Sequence, residues 1–484
     1  MFTAGILIFT SGLAWGQAVQ AWVQRYDGGG AMAVVVDRDG NVIVAGTSAV
    51  GGDYTTIKYS AAGVPLWTNT YSSPGTGADQ VVALAVDASG NVFVTGNSSL
   101  LPEIATIAYS GAGVGLWTNL YGGQVADATT DAGGNLYLAG NYGTGSSSDF
   151  LTIKYSGAGT LLWTNRYNTP ADGVDVVAAL AVDGSGNVYV TGSSYAGDTA
   201  TNYDYATIAY SNEGVPLWTN RYNGPYGPDL PTDIAADGNG NVFVTGYSYN
   251  PNLSYSYATI AYSATGSSLW EKRYAGPVNY DDRAQALAVD TNGNVFVTGY
   301  SFASSGYGYA TIKYSNNGLP LWTNRYNHNL SSYDQATAVA VDGEGDVLVT
   351  GFSQNTNGYP DYLTVKYSGS GVALWTNRYD GPASRIDRPL GRMCLAIGPG
   401  NEVYVAGVSE DDFATVKYLA AAALPATLNI ERAGSQVVLT WTNAGFNLQS
   451  APSVTGLFTN ISGAASPYTN SMTGDRMYFR LQAN

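Results

Sequence analysis

The sequence predicts an all-β protein built as an eight-bladed β-propeller, and three observations lead to that prediction. A tryptophan recurs eight times at intervals of 45 to 55 residues, each followed four residues later by a tyrosine. A Gly-Asn or Gly-Asp pair precedes a run of alternating apolar residues in every interval. Each interval also divides into four short, β-branched runs separated by glycine turns, which is the pattern of a propeller blade. The tryptophans are Trp22, Trp67, Trp117, Trp163, Trp218, Trp270, Trp322 and Trp375.

One repeat shows the four strands in order. Residues 286–290 (ALAVD) predict the first strand, and residues 295–299 (VFVTG) predict the second after a TNGN turn. Residues 309–315 (YATIKYS) predict the third strand, and residues 319–326 (LPLWTNRY) predict the fourth after an NNG turn. These lengths are usual for strands, and no run keeps the 3.6-residue period of a helix.

The two ends of the array predict how the ring closes. Residues 21–26 (AWVQRY) have the pattern of a fourth strand, but no repeat precedes them. The last repeat stops after its third strand, at residues 413–418. The N-terminal strand is therefore expected to complete the last blade, which removes exposed sheet edges. This count gives eight blades, and seven blades with one extra element is the alternative.

The repeat resembles the SBBP-type β-propeller repeat of secreted bacterial proteins. The resemblance rests on D-x-A-x-A-L-A-V-D-x-x-G-N-V-x-V-T-G followed by Y-A-T-I-K-Y-S-x-x-G-x-x-L-W, and it covers roughly residues 20–418. It implies a propeller fold and an extracytoplasmic location in a bacterium. It implies no catalytic residues.

The segments outside the repeats have different patterns. Residues 1–18 predict a signal peptide, because residues 2–15 are apolar, small residues follow, and the stretch is too short for a comfortable membrane span. No Lys or Arg precedes the apolar stretch, so a buried strand is the alternative. The propeller is assigned to residues 19–418, and residues 419–426 (LAAAALPA) are interpreted as a linker. Residues 427–484 predict a small β-sandwich-like module, similar to terminal modules of secreted bacterial proteins.

Composition excludes several classes of function. The 484 residues include 20 Lys and Arg against 36 Asp and Glu, a formal charge of −16. This balance argues against nucleic acids and anionic membranes as partners. The single histidine, His328, and the single cysteine, Cys394, rule out a His-rich zinc site and a disulfide within the chain. Cys394 is expected to be buried in an apolar strand. We expect a monomer without a membrane span.

The connections between strands predict which side of the propeller binds a ligand. The turns between strands one and two, and between three and four, are short and nearly uniform; they define the turn face. The connections between strands two and three, and between blades, vary from residues 407–413 to residues 192–205; they define the loop face. Variable loops on a rigid scaffold are the usual place for binding, so a site is expected on the loop face.

The first candidate group on the loop face consists of tyrosines from blades five and six. A tyrosine combines apolar area with a hydroxyl group, which suits a sugar or a protein surface. Packing between neighbouring loops is the alternative interpretation. The residues are Tyr247, Tyr249, Tyr255, Tyr280, Tyr300 and Tyr307.

The second candidate group consists of aspartates that stand eight residues before the aspartate ending each first strand. They are expected at the mouth of the channel, where clustered oxygens could bind a polar ligand or a cation such as calcium. The alternative is that each carboxylate accepts backbone N–H groups and locks a loop at a blade junction. The residues are Asp79, Asp175, Asp229, Asp282 and Asp334. The recurrent arginines of the fourth strands are expected to pair with acidic residues between blades or to lie at the solvated rim.

These observations predict a secreted or cell-surface, non-enzymatic binding or scaffold protein that recognises glycan or protein through the loop face. No cofactor, metal site or catalytic residue is assigned, apart from the open possibility of calcium. The alternative function is an exported hydrolase or lyase that acts on polysaccharide, which needs two carboxylates in one deep pocket. Its candidates are Asp281 with Asp282, and Glu410 with Asp411 and Asp412. Adjacent strand residues point to opposite faces, which argues against both groups.

Overall fold

The computed structural model describes most of the repeat array and parts of the C-terminal segment. The described residues are 18–73, 77–98, 103–143, 148–169, 172–195, 197, 203–252, 254–278, 280–303, 306–327, 333–383, 385–419, 428–433, 436–440, 446–451, 458–461, 464, 467–471 and 478–483. Residues 1–17 and 420–427 lie outside them, so the signal peptide and the linker stay predictions. His328 also lies outside.

The repeats fold into antiparallel four-stranded sheets, in which each strand pairs with the next one along the chain. Blades 1 and 2 contain β2 (Gly29–Val36), β3 (Val42–Ser48), β4 (Tyr54–Tyr59) and β5 (Pro65–Tyr71), then β6 (Asp79–Val86), β7 (Val92–Ser98), β8 (Glu103–Tyr109) and β9 (Gly115–Gly122). Blades 3 and 4 contain β10 (Gln124–Thr130), β11 (Leu136–Tyr142), β12 (Asp149–Tyr155) and β13 (Leu161–Tyr167), then β14 (Asp175–Val182), β15 (Val188–Tyr195), β16 (Tyr203–Tyr210) and β17 (Pro216–Tyr222).

The same order of strands continues through the next three blades. Blades 5 and 6 contain β18 (Asp229–Ala236), β19 (Val242–Tyr249), β20 (Tyr255–Tyr262) and β21 (Ser268–Tyr274), then β22 (Asp282–Val289), β23 (Val295–Ala303), β24 (Gly306–Tyr314) and β25 (Pro320–Tyr326). Blade 7 contains β26 (Gln335–Val341), β27 (Val347–Gln354), β28 (Pro360–Tyr367) and β29 (Ala373–Tyr379). First strands of neighbouring blades contact one another, so they surround the centre of the ring.

Blade 8 joins the two ends of the propeller. It contains β30 (Asp387–Pro389), β31 (Leu395–Ile397), β32 (Val403–Ser409) and β33 (Asp412–Leu419), and its outer strand is β1 (Val19–Tyr26). The N-terminal strand therefore supplies the missing fourth strand, as the ends of the array predict. The eight-bladed prediction is confirmed, and the seven-bladed alternative is wrong.

Tryptophan and glycine connect each blade to the next. The Trp67 indole N–H donates to the carbonyl of Gly111 in the following blade at 3.2 Å. Gly113 has φ 82° there, and a Cβ at that position would lie 2.7 Å from Cγ of Trp67. The same contact joins six other pairs of blades, which explains why a glycine stands four residues before the tryptophan. Trp375 differs: its buried indole N–H has no partner among the described residues, because blade 8 has no turn between its third and fourth strands.

The uniform turns are closed by their own aspartates. One carboxylate oxygen of Asp87 accepts the backbone N–H of Ser89 and of Asn91, both at 2.8 Å. The other oxygen accepts the side-chain amide of Asn91 at 2.8 Å. This is the turn-forming role of Asp in Asp-x-x-Gly-Asn. The polar groups of these turns are therefore hydrogen-bonded within the turn.

Apolar residues of adjacent sheets form the core. Between blades 1 and 2, for example, Ile43 packs in one cluster with Val81, Leu84 and Ile107. The described residues contain no α-helix; their helical turn is a 3₁₀ segment, Arg392–Cys394. None of the described helical segments is long and apolar enough to cross a membrane.

The contacts divide the chain into two compact units, Gln20–Leu419 and a second that contains Ala420–Asn484. In the second unit one sheet consists of β34 (Asn429–Ala433), β35 (Gln436–Thr440) and β38 (Tyr468–Ser471). The other consists of β36 (Phe446–Ala451), β37 (Thr459–Asn460) and β39 (Tyr478–Ala483). Buried Leu439 and Leu448 form its described core. Whether this segment is a sandwich-like module of secreted proteins stays a prediction.

Candidate functional site on the loop face

The first-strand aspartates are buried at the junctions between blades. Asp175, Asp229, Asp282 and Asp334 are 0% exposed, and Asp79 is 1% exposed. Asp229 accepts the backbone N–H of Gly224 at 2.5 Å, and Asp282 accepts that of Gly276 at 2.7 Å. Backbone amides of the blade-joining loops therefore face these carboxylates. Burial raises the pKa of Asp229 to about 6, although hydrogen bonds from Ser248 and Gly224 act in the opposite direction.

An equivalent aspartate in blade 8 was missed by sequence reasoning. Asp387 is buried, lies opposite Ser409 in the register, and accepts the backbone N–H of Gly381 at 2.7 Å. The eight-residue spacing fails here because residues 390–394 interrupt the first strand of blade 8. Two contacts of Ser409 could have identified Asp387. Ser409 lies opposite Asp387 in the register and accepts a hydrogen bond from the recurrent arginine Arg25.

The recurrent arginines hold the loop side of their own blades. Arg221 donates to the Ser194 hydroxyl at 2.8 Å and forms an ion pair with Asp204 at 2.9 Å, all within blade 4. Arg378 forms the corresponding pair with Asp361 in blade 7 at 2.8 Å. The prediction of acidic partners between blades is therefore wrong for these arginines. Their partner in the preceding blade is instead a tyrosine, as where Arg325 donates to the Tyr274 hydroxyl at 2.9 Å.

Two groups of carboxylates among the described residues come close enough to share a cation, with ligand atoms within 4.8 Å of one another. The groups are Asp342, Glu344 and Asp346, and Asp361, Asp380 and Asp387. The Lys366 ammonium lies 2.7 Å from Asp342 and 3.1 Å from Asp346. In the second group, Arg378 forms an ion pair with Asp361. A protein cation thus neutralises part of each group, and calcium binding stays a prediction.

The six predicted tyrosines come together on the loop face with three further rings. Neighbouring ring centroids lie between 4.6 and 6.5 Å apart, in one group of three rings within blade 5 and a second group of six rings that joins blades 6 and 7. We call this set the aromatic strip: Tyr247, Tyr249, Tyr255, Tyr280, Tyr300, Phe302, Tyr307, Tyr333 and Phe352. Tyr280 is 54% exposed and Tyr333 is 42% exposed, so both present their rings to solvent. Phe302, Tyr307 and Phe352 pack against these two rings.

Arg283 packs on the blade-5 rings of the aromatic strip. Its guanidinium lies 5.0 Å from the ring centre of Tyr247 and 4.7 Å from that of Tyr255. It also forms an ion pair with Asp281 at 2.9 Å, and its Nε is buried without an acceptor among the described residues. Burial disfavours the charged form, but Tyr300 and Asp281 outweigh this effect and raise the pKa of Arg283. The site therefore combines aromatic rings with one paired charge.

Sequence reasoning missed Arg283, Tyr333 and the two phenylalanines, although signals for them exist. Tyr333 precedes Asp334 in a blade-joining loop, much as Tyr280 precedes Asp282. Arg283 directly follows the repeat aspartate, where blades 2, 4, 5 and 7 have uncharged residues. Those residues are Gln80, Val176, Leu230 and Gln335.

The aromatic strip replaces polar contacts that other blades make at the same register position. Thr47, Asn97 and Asn141 of β3, β7 and β11 pair with Gly30, Gln80 and Gln124, which directly follow the repeat position of Asp79. Each accepts a backbone N–H from the first strand of the following blade, at 2.7 to 3.1 Å. Blades 5, 6 and 7 have aromatic rings at this position: Tyr247, Tyr300 and Phe352.

The central channel is lined by bulges in the first strands. The register shifts by one residue in each of blades 1 to 7, and the bulged side chains line a cavity of about 490 Å³. These side chains are Met32, Val82, Ala126, Ala178, Thr232, Gln285 and Thr337. Four of the seven are apolar, and Arg392 of blade 8 also lines the cavity.

A segment of blade 8 crosses the channel. Arg392 donates to the carbonyls of Ala178 at 2.7 Å and Thr232 at 3.0 Å, and it pairs with Asp127 at 2.5 Å. Its Nε lies 3.8 Å from Asp233. Blades 3, 4 and 5 are thereby tied to blade 8. Burial raises the pKa of Asp233 to about 6, and Arg392 limits that increase.

Cys394 lies in the 3₁₀ turn beside this segment, so its predicted placement in a strand is wrong. Its predicted burial is confirmed, at 0% exposure. Burial also raises the pKa of the thiol to about 12. A thiol with such a pKa is protonated at neutral pH, which makes it a poor nucleophile.

The predicted carboxylate groups are held in structural contacts. Asp281 pairs with Arg283, whereas Asp282 is buried against the Gly276 amide. Glu410 and Asp412 both contact Arg25, at 3.3 and 2.9 Å. Neither group lines the channel cavity.

Comparison with known proteins supports the repeat assignment. The family described as SBBP, β-propeller repeat, matches residues 217–253 and 272–303, which lie in blades 4 to 6. The chain carries SBBP β-propeller repeats. The matched SBBP segments contain five of the nine rings of the aromatic strip, namely Tyr247, Tyr249, Tyr280, Tyr300 and Phe302, and they also contain Arg283. No curated protein matches the chain.

Two solved structures are similar in fold to this chain. BamB from Moraxella catarrhalis is 14% identical, with 83% of this chain and 100% of that chain covered and a TM-score of 0.51. Sqt1 from Chaetomium thermophilum, bound to the N-terminus of ribosomal protein L10, is 10% identical, with 81% and 98% covered and a TM-score of 0.54. At such identities the likeness concerns the propeller fold alone.

Proposed function

We propose that this chain is an exported, non-enzymatic binding protein of a bacterium, located at the cell surface or secreted, which recognises glycan or protein through its loop face. The observation that carries the proposal is the aromatic strip around Arg283. Exposed aromatic residues beside an arginine are typical of binding surfaces, because they bury large area at a small cost in conformational entropy. The predicted tyrosines Tyr247, Tyr249, Tyr255, Tyr280, Tyr300 and Tyr307 are its contact and supporting residues.

The first-strand aspartates have a supporting role in this proposal. Asp282 holds the loop that carries Tyr280, and its carboxylate binds the Gly276 amide at 2.7 Å. Asp334 is buried beside Tyr333. Loops fixed in this way keep the rings in place before a ligand arrives, which reduces the entropic cost of binding.

Export is supported by the predicted signal peptide at residues 1–18 and by the SBBP repeats. Recognition of a protein is compatible with the fold, since Sqt1 has a similar fold and was solved with the N-terminus of ribosomal protein L10. For this chain both points are proposals. Fractionation of the native bacterium with an antibody to the chain tests the location, and detection in the cytoplasm alone would contradict export.

An array experiment tests the binding function. The full chain is applied to glycan and protein arrays with and without calcium, together with a Tyr280→Ala/Tyr333→Ala variant. Tyr226→Ala is the matched control, because Tyr226 is 48% exposed and lies in a blade-joining loop outside the aromatic strip. We expect a ligand that the wild type and Tyr226→Ala bind and the double variant does not. Absence of any ligand, or equal binding by all three proteins, argues against the proposal.

The same proteins test the enzymatic alternative. Each is incubated with neutral and acidic polysaccharides, and release of new chain ends is measured. The proposal expects no turnover. Turnover that Asp282→Asn abolishes would replace the binding function by that of an exported hydrolase or lyase.

A further inference from the structure

Building on the proposed function, we infer that the aromatic strip binds a neutral, unbranched polysaccharide chain. Sugar rings stack on Tyr280 and Tyr333, and sugar hydroxyls bond to the Asp281–Arg283 pair. Four observations carry this inference: the support of the exposed rings, their arrangement over consecutive blades, the polar pair between them, and the charge of the protein.

Both exposed rings are fixed by rings behind them. Tyr280 packs on Phe302 with a centroid distance of 4.6 Å, and Tyr333 packs edge-on against Tyr307 at 5.2 Å. A backbone bridge between Tyr307 and Tyr333 also fixes the second loop. Rigid aromatic faces match the apolar C–H face of a pyranose ring, and little entropy is lost when they bind it.

The aromatic strip extends over the loops of three consecutive blades. Tyr249 and Tyr255 belong to blade 5, Tyr280 and Tyr307 lie at blade 6, and Tyr333 opens blade 7. Its well-exposed residues are tyrosines, and many exposed aliphatic residues, such as Leu66 and Leu217, stand on the outer strands. Val278, in the loop of Tyr280, is 37% exposed, which adds one aliphatic side chain to the rings but no patch. A row of rings without an aliphatic patch suits an extended polymer better than the broad apolar core of a protein interface.

The Asp281–Arg283 pair supplies the polar contacts that a sugar needs. Its carboxylate accepts hydrogen bonds and its guanidinium donates them, and the two groups lie 2.9 Å apart. Two neighbouring hydroxyls of a sugar can donate to the first and accept from the second. The side chains of Arg283 and Asp281 are 31% and 25% exposed, so part of each is accessible. The buried Nε of Arg283 also lacks a partner among the described residues.

Charge decides between neutral and anionic chains. The protein carries a formal charge of −16, and Arg283, the cation that packs on the aromatic strip, is neutralised by Asp281. A polyanion would be repelled by the protein as a whole and would find no excess of positive charge at the site. A neutral chain avoids both penalties, and its binding should depend little on salt.

Affinity electrophoresis tests the inference with the full chain. Native gels contain hydroxyethyl cellulose, glucomannan, linear β-1,3-glucan or polygalacturonate as the anionic comparison. We expect retardation by at least one neutral polysaccharide at 0.05 and 0.5 M salt. The Tyr280→Ala/Tyr333→Ala variant should weaken that affinity at least about tenfold, while Tyr226→Ala should change it by less than about twofold.

A second variant separates stacking from loss of fold. Tyr333→Phe keeps the ring and should retain binding within about threefold, and melting curves should be unchanged in all variants. Retardation by polygalacturonate alone, or equal loss in Tyr226→Ala, overturns the inference. A strip-dependent protein ligand without polysaccharide binding also overturns it, but leaves the proposed function intact. If neither class of ligand depends on the aromatic strip, both the inference and the proposed function fail.

Discussion

Replacing Gly113 by alanine tests how one blade is fixed to the next. Gly113 has φ 82°, in the left-handed region where an alanine costs roughly 1–2 kcal/mol. A Cβ would also lie 2.7 Å from Cγ and 2.9 Å from Cδ2 of Trp67, closer than carbon atoms approach. The indole can move only by disturbing its hydrogen bond to Gly111 at 3.2 Å and its packing on Tyr109 at 5.9 Å. Overpacking of this kind costs roughly 1–3 kcal/mol more.

Gly90 provides a matched control for the backbone contribution. Its φ is 81°, but a Cβ added there would meet no atom within 4 Å. Gly90→Ala should therefore lose only about 1–2 kcal/mol, and Gly113→Ala about 2–5 kcal/mol. The free energies of unfolding are measured by urea titration of the full chain, followed by tryptophan fluorescence. Equal losses in the two variants, or a larger loss in Gly90→Ala, would refute the packing of turn against tryptophan as the link between blades.

Three further predictions concern ring closure, titration and the channel. Arg25→Ala removes contacts that hold β1 to β33, so limited proteolysis should release the N-terminal strand faster than in Arg378→Ala, whose contacts lie within a continuous blade; equal rates would contradict closure by β1. The pKa of Asp229 is about 6 in the folded protein against 3.8 when unfolded. The folded state therefore binds the extra proton, and the ionised carboxylate costs stability as pH rises through this window. Asp229→Asn should gain up to about 3 kcal/mol relative to wild type between pH 4 and pH 7 in urea titrations, and a pH-independent difference would disprove it. Arg392→Ala should lose about 3–5 kcal/mol at pH 7, because buried Asp127 and partly buried Asp233 lose their cation, and the loss should shrink below pH 6 as Asp233 is protonated; an unchanged loss at pH 5 would count against this.

Repetition explains why so much of the fold could be predicted. Each blade repeats the same local signals, namely alternation in the strands, glycine in the turns and tryptophan in the fourth strand, so an ambiguity in one copy is resolved by the others. The ends of the array then fix the closure, because a fourth strand without a repeat and a repeat without a fourth strand can be satisfied together. Trp22 of β1 accordingly donates to Ala61 of blade 1 at 3.2 Å, as its counterparts do elsewhere.

The parts that could not be predicted depend on tertiary contacts of single blades. The bulges that line the channel leave no mark in the hydrophobic pattern, because a bulge changes the direction of side chains without changing residue type. Arg392 contacts residues 160 to 265 positions earlier in the chain, and only the interruption of the repeat by LGRMC points to it. The burial of the aspartates also depends on the loops that fold over them, whose residues differ between blades.

The position of the aromatic strip within the repeat supports a role in recognition. A residue needed for the scaffold should recur around the ring, as the tryptophans and turn aspartates do. At the register position of Thr47, Asn97 and Asn141, the scaffold of blades 1 to 3 uses a polar side chain that accepts a backbone N–H from the next blade. Each such bond contributes about 0.5–1.5 kcal/mol to stability. Blades 5 to 7 have rings there instead, and forgo that acceptor at three adjacent places on one face. Blade 4 has Ser193 and blade 8 has Val408 at this position, so the rings are confined to three consecutive blades. The proposed binding function requires this arrangement, because a ligand of the aromatic strip would contact those three blades together.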